Sequence, residues 1–411
     1  MKYGCIGEKL PHSFSKEIHE KIGGYDYELC EIARQDLDAF LRKADFLAIN
    51  VTIPYKEAVI PYLAYLSDTA RAVGAVNTVV NRDGKLYGYN TDFSGLSALL
   101  DRTGVDLAGK KVLICGTGGT SKTAAAVAKH RNARMILAVS RTAKNGAITY
   151  EEARENHTDA DVLLNTTPVG MFPHPDGLPL DPAAFPKLSG VIDAVYNPLR
   201  TNFVLAAEAR GVKAAGGLYM LVAQAVAASG IFMDTPCPPG TADSVFQAIL
   251  REKETLTLIG MPSSGKSTVG KLLAETLHRP FYDTDDEIVR EIGMPIAAYF
   301  EKYGETAFRD VESAVVERLS NICGAVIATG GGAVLRDENV TALRRNGRLF
   351  FLDRPLEMLL PTPDRPLAND ADKIERLYAE RLPRYKTASD ATVPVRFDPQ
   401  EAVDAIIRSL S

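Results

Sequence analysis

Nine consecutive residues near the middle of the chain, Gly260, Met261, Pro262, Ser263, Ser264, Gly265, Lys266, Ser267 and Thr268, constrain the fold more than any other stretch. They follow a short apolar run at 256–259 and precede a helix-like pattern at 269–277. That order is buried strand, glycine-containing loop, helix, the setting a phosphate-binding loop requires. Gly260 and Gly265 let the backbone turn its N–H groups inward on a phosphate, and the helix beginning near Lys266 adds its positive end. All nine residues are therefore candidate ATP contacts. Lys266 is placed to reach the β- and γ-phosphates and Ser267 to ligate Mg²⁺. The competing reading is a Gly/Ser turn with no ligand, and the flanking strand and helix weigh against it. A strand of this kind opens its domain, so a second fold is expected from about residue 252.

At 411 residues the chain is long enough for two or more domains. A net charge of −5 gives no reason to expect nucleic acid or an anionic membrane as partner. The five cysteines (Cys5, Cys30, Cys115, Cys237, Cys323) are scattered without a C-x-x-C pair. This argues for a reducing compartment and against a disulfide frame or zinc cage. No signal peptide opens the sequence and no apolar run is long enough to span a bilayer, so the expectation is a cytoplasmic protein with small-molecule partners. A homo-oligomer is left open.

Residues 1–105 read as a first α/β domain. Residues 3–7 form a short strand. Ser15 either caps the following helix or, with Ser13, offers a hydroxyl to a polyol; His12 and His19 read as solvated or satisfied in the core. A buried strand is expected at 46–53, with Asn50 and Thr52 alternating onto one face and Lys56 just past its end. Strands at 75–80 and 87–92 follow, with Asn77 and Asp92 at polar breaks. Asp92 is either a helix N-cap or one half of a Lys–Asp pair, in which each charge holds the other ionised while a substrate oxygen gives or takes a proton.

Residues 106–250 read as a Rossmann-type domain. A buried strand at 110–115 runs into Gly116, Thr117, Gly118, Gly119, Thr120 and Ser121, then an Ala-rich helix over 123–130, the order of a dinucleotide pyrophosphate site. Thr120 and Ser121 both read as able to donate to a phosphate. The next strand ends at Arg141 and Lys144, cations that suit a 2′-phosphate and favour NADP over NAD, against plain solvation of Arg141. Further strands are expected at 161–165 and 191–195. Helices at 216–224 and 242–250 follow, those from about 220 to 250 packing back on the first domain. Gln224 faces with Met220 and Leu221, or is a plain surface amide. The polar stretch 251–254 reads as a joining segment.

The segments His12-Ser13-Phe14-Ser15-Lys16, Asn50 to Lys56, Ala75 to Thr78, Asn90-Thr91-Asp92, Gly116 to Gly119, Asn165 to Gly170, Tyr196-Asn197-Pro198 and Met220 to Gln224 resemble shikimate dehydrogenase, in family order across 1–250. The resemblance implies a catalytic Lys56–Asp92 pair, with substrate contacts from Ser13, Ser15, Asn50, Thr52, Asn77, Asp92 and Gln224. It also implies NADP on 116–121 with Ser140, Arg141, Thr142, Lys144, Tyr196 and Gly217. The reaction would be NADPH-dependent reduction of 3-dehydroshikimate, the dinucleotide supplying the redox chemistry and the protein aim and charge.

Residues 252–411 read as a P-loop kinase domain on a parallel sheet. A short strand ends in Asp283 and Asp285, which strand alternation would put on one face as Mg²⁺ support and base, or which form a solvated turn. Arg309 begins a helix, Gly330, Gly331 and Gly332 follow a buried strand, Arg365 lies in a Pro-rich lid at 361–367, and Arg381 sits near the end of a helix. The segments Asp283-Thr284-Asp285, Phe308-Arg309, Gly330 to Gly332, Asp364-Arg365-Pro366 and Arg381 to Tyr385 resemble shikimate kinase. Paired guanidinium hydrogen bonds suit a carboxylate, so the resemblance implies that Arg309 and Arg381 grip shikimate beside Gly330–Gly332. It further implies that Asp285 orients or deprotonates its hydroxyl, Asp283 holds Mg²⁺ through water, and Arg365 closes over the γ-phosphate. The two resemblances together imply that the halves would catalyse successive steps of chorismate biosynthesis. The alternatives are a quinate/shikimate dehydrogenase joined to another small-molecule kinase, or a kinase-like sensor that binds without turnover.

Overall fold

The computed structural model describes residues 1–10, 13–144, 146–359 and 370–410. The chain divides into two compact units, Met1–Ile249 and Leu250–Ser411.

The first unit holds two six-stranded sheets. The first is built from β1 (Tyr3–Gly7), β2 (Tyr27–Glu31), β3 (Ala48–Val51), β4 (Tyr65–Leu66), β5 (Thr78–Arg82) and β6 (Lys85–Tyr89), in the order β2-β1-β3-β5-β6-β4. It is mixed: β1 runs parallel to β2 and β3, while β5 is antiparallel to both β3 and β6. Helices α1 (Ser15–Ile22), α2 (Leu37–Lys43), α3 (Asp68–Val73) and α4 (Asp92–Thr103) accompany it. Ile6, Ile49, Val51, Val76 and Val79 form one core on this sheet with Leu37, Leu41 and Tyr55.

The second sheet is parallel. It comprises β7 (Lys111–Cys115), β8 (Met135–Ser140), β9 (Ile148–Thr149), β10 (Val162–Asn165), β11 (Gly190–Asp193) and β12 (Lys213–Ala215), ordered β12-β11-β10-β7-β8-β9. β7 and β10 are buried at every residue, which is why they read as continuous apolar runs and not as alternation. The strand order reverses on either side of β7, and the crevice outside the carboxyl ends of the strands at such a switch point is where doubly wound sheets bind ligands. Helices α5 (Gly119–His130), α6 (Tyr150–Asn156) and α7 (Asn202–Glu208) flank it, and α8 (Leu218–Phe232) packs on α1 and α4. Helix α9 (Thr241–Lys253) includes residues 251–253, so the polar stretch at the junction of the two units is helical for its first three residues. Charged residues suit a solvated final turn as well as a linker, and the local pattern does not separate the two.

The second unit has one parallel five-stranded sheet of β13 (Thr255–Ile259), β14 (Phe281–Asp283), β15 (Val326–Ala328), β16 (Gly347–Asp353) and β17 (Ala391–Pro394), ordered β14-β15-β13-β16-β17. Its helices are α10 (Lys266–Leu277), α11 (Thr284–Ile292), α12 (Ile296–Ser320), α13 (Asp337–Asn346), α14 (Ala371–Ala388) and α15 (Pro399–Ser409). Gly304, at φ 83°, breaks α12 into two helices, so Arg309 lies in the first turns of the second. The central strand β13 is wholly buried and delivers its C-terminal end directly into the 260–265 loop.

Candidate active sites

In the first unit, Lys56 Nζ lies 2.5 Å from Asp92 Oδ2, and both side chains are largely buried. Lys56 stands five residues past β3, after a turn in which the Tyr55 N–H donates to the Thr52 carbonyl. Asp92 is not the N-cap of α4. Thr91 holds the cap position without a side-chain cap bond, and Asp92, the first helical residue, turns its carboxylate inward. Its second oxygen accepts from Asn77 Nδ2 at 2.9 Å. Asn77 is fixed in turn: its Oδ1 accepts from the Thr91 N–H at 2.7 Å, and its Nδ2 also reaches Gln224 Oε1 at 3.3 Å. Gln224 is buried and part of this cluster, which removes the surface-amide reading.

Asn50 joins the same network, donating to the Asn77 carbonyl and Thr78 Oγ1 and accepting from the Tyr27 hydroxyl. Thr52 lies one residue beyond β3 and is half-buried. Ser15 is the first residue of α1 and does not cap it; the Ser13 hydroxyl accepts from the Ser15 N–H at 3.3 Å. Phe14 between them packs on the Tyr196 ring at 5.2 Å. His19 is fully buried against Tyr27, and burial pushes its pKa down to about 3, so it is neutral. His12 lies outside the described residues.

The loop from Gly116 abuts this cluster. A Cβ on Gly119 would lie 3.5 Å from Lys56 Cδ, and Gly118 has open space where a side chain would stand. Gly116 has φ 115°, and Gly118 is the N-cap of α5, so backbone N–H groups face that opening. Thr120, half-buried, lines a small cavity with the ends of β10 and β11 and Met220. The Ser121 hydroxyl donates to the Gly116 carbonyl at 2.7 Å and braces the loop from within, so it is not turned outward as a phosphate donor. Arg141, Thr142 and Lys144 are exposed past the end of β8, where the Ser140 hydroxyl donates to the Thr142 carbonyl at 2.5 Å. Gly217 caps α8, and any Cβ there would collide with the Ala194 backbone.

The sequence reading missed Thr91, which a polar residue beside Asp92 could have signalled. It also missed the role of Asp193, an acid at the end of an apolar strand. Asp193 accepts from Asn165 Nδ2, the Val195 N–H and the Thr201 hydroxyl, at 2.9, 2.9 and 2.6 Å, tying the loops after β10 and β11 together. Burial pushes its carboxyl up to about 7.

In the second unit, Gly260, Ser263 and Gly265 adopt positive φ of 150°, 63° and 93°, and the Lys266 ammonium donates to the Gly260 and Met261 carbonyls at 2.9 and 2.7 Å. The Ser267 hydroxyl donates to Asp283 Oδ2 at 2.6 Å. Asp283 and Asp285 do not share a strand face. Asp283 ends β14 and caps α11, accepting from the Asp285 N–H at 3.0 Å, and Asp285 belongs to the helix's first turn.

Gly330, Gly331 and Gly332 are the hub around which the remaining residues gather. A Cβ on Gly330 would come within 2.8 Å of Asp285 Oδ1 and 2.9 Å of Glu312 Oε1, and one on Gly332 would collide with the Arg309 guanidinium. Arg381 Nη1 and the Tyr385 hydroxyl both donate to the Gly331 carbonyl, at 3.1 and 2.5 Å. Arg309 is held by Glu312 at 2.6 Å and Glu305 at 3.2 Å. Glu312 was missed; its i, i+3 spacing from Arg309 was the available signal. Burial raises its pKa, and the Arg309 charge opposes that shift. Arg365 and the segment 361–367 lie outside the described residues.

Comparison with known proteins decides the family. A shikimate dehydrogenase (NADP(+)) of Clostridium beijerinckii is 37% identical over 250 residues, 56% of this chain and 92% of the relative. The chain belongs to the shikimate dehydrogenase family. Residues 5–79 match the family model of the shikimate dehydrogenase substrate binding domain, and residues 262–411 match that of shikimate kinase. A crystal structure of shikimate dehydrogenase 1 from Peptoclostridium difficile shares 34% identity at a TM-score of 0.57, covering 61% of this chain and 98% of that one. The shikimate 5-dehydrogenase of Thermus thermophilus, solved in complex with NADP(H) and shikimate, shares 29% at 0.54 over 60% and 99%. A chorismate mutase/shikimate 5-dehydrogenase fusion from Clostridium acetobutylicum shares 34% at 0.56 over 60% and 96%. Here the shikimate dehydrogenase is fused instead to a shikimate kinase domain, which makes the chain a bifunctional shikimate-pathway enzyme.

Proposed function

We propose that the chain reduces 3-dehydroshikimate to shikimate with NADPH and then phosphorylates shikimate at its 3-hydroxyl with ATP. The observation that carries this reading is the presence in one chain of two separate sites: a buried Lys56–Asp92 pair against a dinucleotide-type glycine loop, and a P-loop with Asp285, Arg309 and Arg381 gathered on a second glycine loop.

In the reductase site, bound NADPH supplies the hydride that arrives at the ketone carbon. Lys56 donates a proton to the oxygen as negative charge develops there, so ketone, hydride and proton balance to an alcohol. Asp92, held by Asn77, keeps the ammonium aimed. Ser13, Ser15, Asn50, Thr52, Asn77 and Gln224 would hold the hydroxyls and carboxylate of the substrate. The residues fit a dinucleotide: backbone N–H groups at the start of α5 for the pyrophosphate, and Arg141 and Lys144 for a 2′-phosphate. Tyr196 and Gly217 would border the nicotinamide end.

In the kinase site, the substrate hydroxyl attacks the γ-phosphorus, ADP leaves, and Asp285 orients the hydroxyl and takes its proton. Arg309 and Arg381 hold the carboxylate. Lys266 neutralises charge on the transferring group, with Arg365 as its proposed partner from the lid. The Ser267 hydroxyl and the Asp283 carboxylate form an all-oxygen pair of the kind Mg²⁺ takes, and a bound ion would there screen the phosphate charge. The free thiols of all five cysteines suit a reducing cytoplasm, where we place the enzyme.

The test is to incubate the chain with 3-dehydroshikimate, NADPH, ATP and Mg²⁺ and identify the products. Shikimate 3-phosphate with equimolar NADP⁺ and ADP is expected. Accumulation of shikimate without ADP would reject the kinase half.

A further inference from the structure

Tyr27 opens β2, yet its hydroxyl acts on β3. The strand order places β1 between the two, and the ring crosses it to donate to Asn50 Oδ1 at 2.8 Å. From there every donor points the same way. Asn50 Nδ2 donates to Thr78 Oγ1 at 3.2 Å, Thr78 Oγ1 donates to Asn77 Oδ1 at 3.1 Å, and Asn77 Nδ2 donates to Asp92 Oδ1 at 2.9 Å. All five side chains in this chain of bonds are buried. Main-chain groups fix both amides: Asn50 Nδ2 also donates to the Asn77 carbonyl, and the Thr91 N–H donates to Asn77 Oδ1. Neither amide can therefore flip without breaking a backbone bond, and the Thr78 hydroxyl, which also lies 3.3 Å from Thr91 Oγ1, completes the series when it donates to Asn77.

The head of the chain is locked as well. Burial keeps the Tyr27 phenol protonated, so it has a proton to give. Its ring lies flat on His19, with centroids 3.9 Å apart and planes 5° from parallel, and His19 Nδ1 is held by the Tyr25 hydroxyl at 2.6 Å. Aligned hydrogen bonds polarise one another in a low-dielectric interior, and a carboxylate at the end of such a series is stabilised in place.

We propose that Tyr27 is a positioning residue for the reduction: through Asn50, Thr78 and Asn77 it fixes the Asp92 carboxylate in the orientation that meets Lys56. This rests on reading Lys56 and Asp92 as the proton-transfer pair. The test compares wild type, Tyr27→Phe, Asn50→Ala and the double variant in the full chain, measuring reduction of 3-dehydroshikimate with phosphorylation of shikimate as an internal control. Tyr27→Phe keeps the ring stack and removes one oxygen. It should lower kcat for reduction about five- to tenfold, the scale of one buried hydrogen bond, with the KM values for 3-dehydroshikimate and NADPH and the kinase rate unchanged; a rise in the 3-dehydroshikimate KM with kcat unchanged would mean that Tyr27 serves Asn50 as a substrate contact, and would overturn the proposal. In the Asn50→Ala background the same change should cost less than about twofold, because the link it acts through is gone. Unaltered reduction in Tyr27→Phe, or an equal loss in both backgrounds, overturns the proposal. A wild-type chain that does not reduce 3-dehydroshikimate would instead reject the reading of the site itself.

Discussion

Lys56 and Asn77 hold opposite oxygens of the same carboxylate: Asp92 Oδ2 meets the ammonium at 2.5 Å while Oδ1 accepts from the amide at 2.9 Å. Neither oxygen is left to turn, so the lysine is aimed before any substrate arrives, which is the condition for a proton donor to act in the transition state. Replacing Lys56 by Ala removes the proposed proton donor and leaves the kinase unit untouched. Reduction should fall by about 10² to 10⁴ in kcat. Phosphorylation of added shikimate should persist at the wild-type rate. NADPH absorbance and ADP release on the same preparation check both, and a Lys56→Ala chain that still reduces at near-normal rate would remove the lysine from the chemistry.

The reciprocal change is Lys266→Ala. Its ammonium is buried inside the phosphate loop, donating to two loop carbonyls. Loss of a fixed cation facing the transferring phosphoryl group typically costs about 10² to 10³ in kcat. Phosphorylation should fall by that factor while reduction is unaffected. Loss of both activities in either lysine variant would contradict the two-site arrangement.

Much of this architecture was readable because it is local. Both glycine loops sit between a buried strand and a helix, and that order is written in consecutive residues. What failed were inferences carried past an element's end. Strand alternation was extended from Asp283 to Asp285, but Asp283 accepts from the Asp285 N–H and so starts a helix at the next residue. Ser15 and Asp92 were weighed as caps, and each instead takes the first helical position. Where the partners are remote in sequence, a polar residue at an element's end was only a hint of a role and did not say what it meets. Thr91 meets Gln224 across 133 positions, and Asp193 acts by joining two loops that no short pattern relates.

Gly332 offers a test of the proposed shikimate pocket that leaves the backbone unstrained. Its φ of −103° suits any residue, so alanine there adds only a methyl group, and that methyl falls on the Arg309 guanidinium. Arg309 cannot shift freely, being pinned by Glu312 and Glu305. Gly332→Ala should therefore displace the arginine and raise the KM for shikimate about 10- to 100-fold, the scale of a charge-assisted hydrogen bond. The KM for ATP and the reductase activity should not change. A shikimate KM within twofold of wild type would show that Arg309 does not hold the substrate.

Asp193 makes the pH dependence of the first unit predictable. Its carboxyl titrates near 7 in the folded chain, because burial outweighs the three hydrogen bonds it accepts, against an ordinary value of 3.8 when unfolded. Below 3.8 both states carry the proton and the residue costs nothing. As pH rises from 3.8 toward 7 the unfolded chain releases its proton while the folded chain keeps it, so stability falls through this window and then levels off. Asn at this position has no proton to lose. Its oxygen can still accept from Asn165 and Val195, and its amide can donate to the Thr201 hydroxyl. Between pH 5 and pH 8 the wild-type first unit should thus lose more stability than Asp193→Asn, read as the urea midpoint for loss of reductase activity on brief incubation. Parallel midpoints across that range would mean that Asp193 is already ionised at pH 5 and that its three donors outweigh its burial.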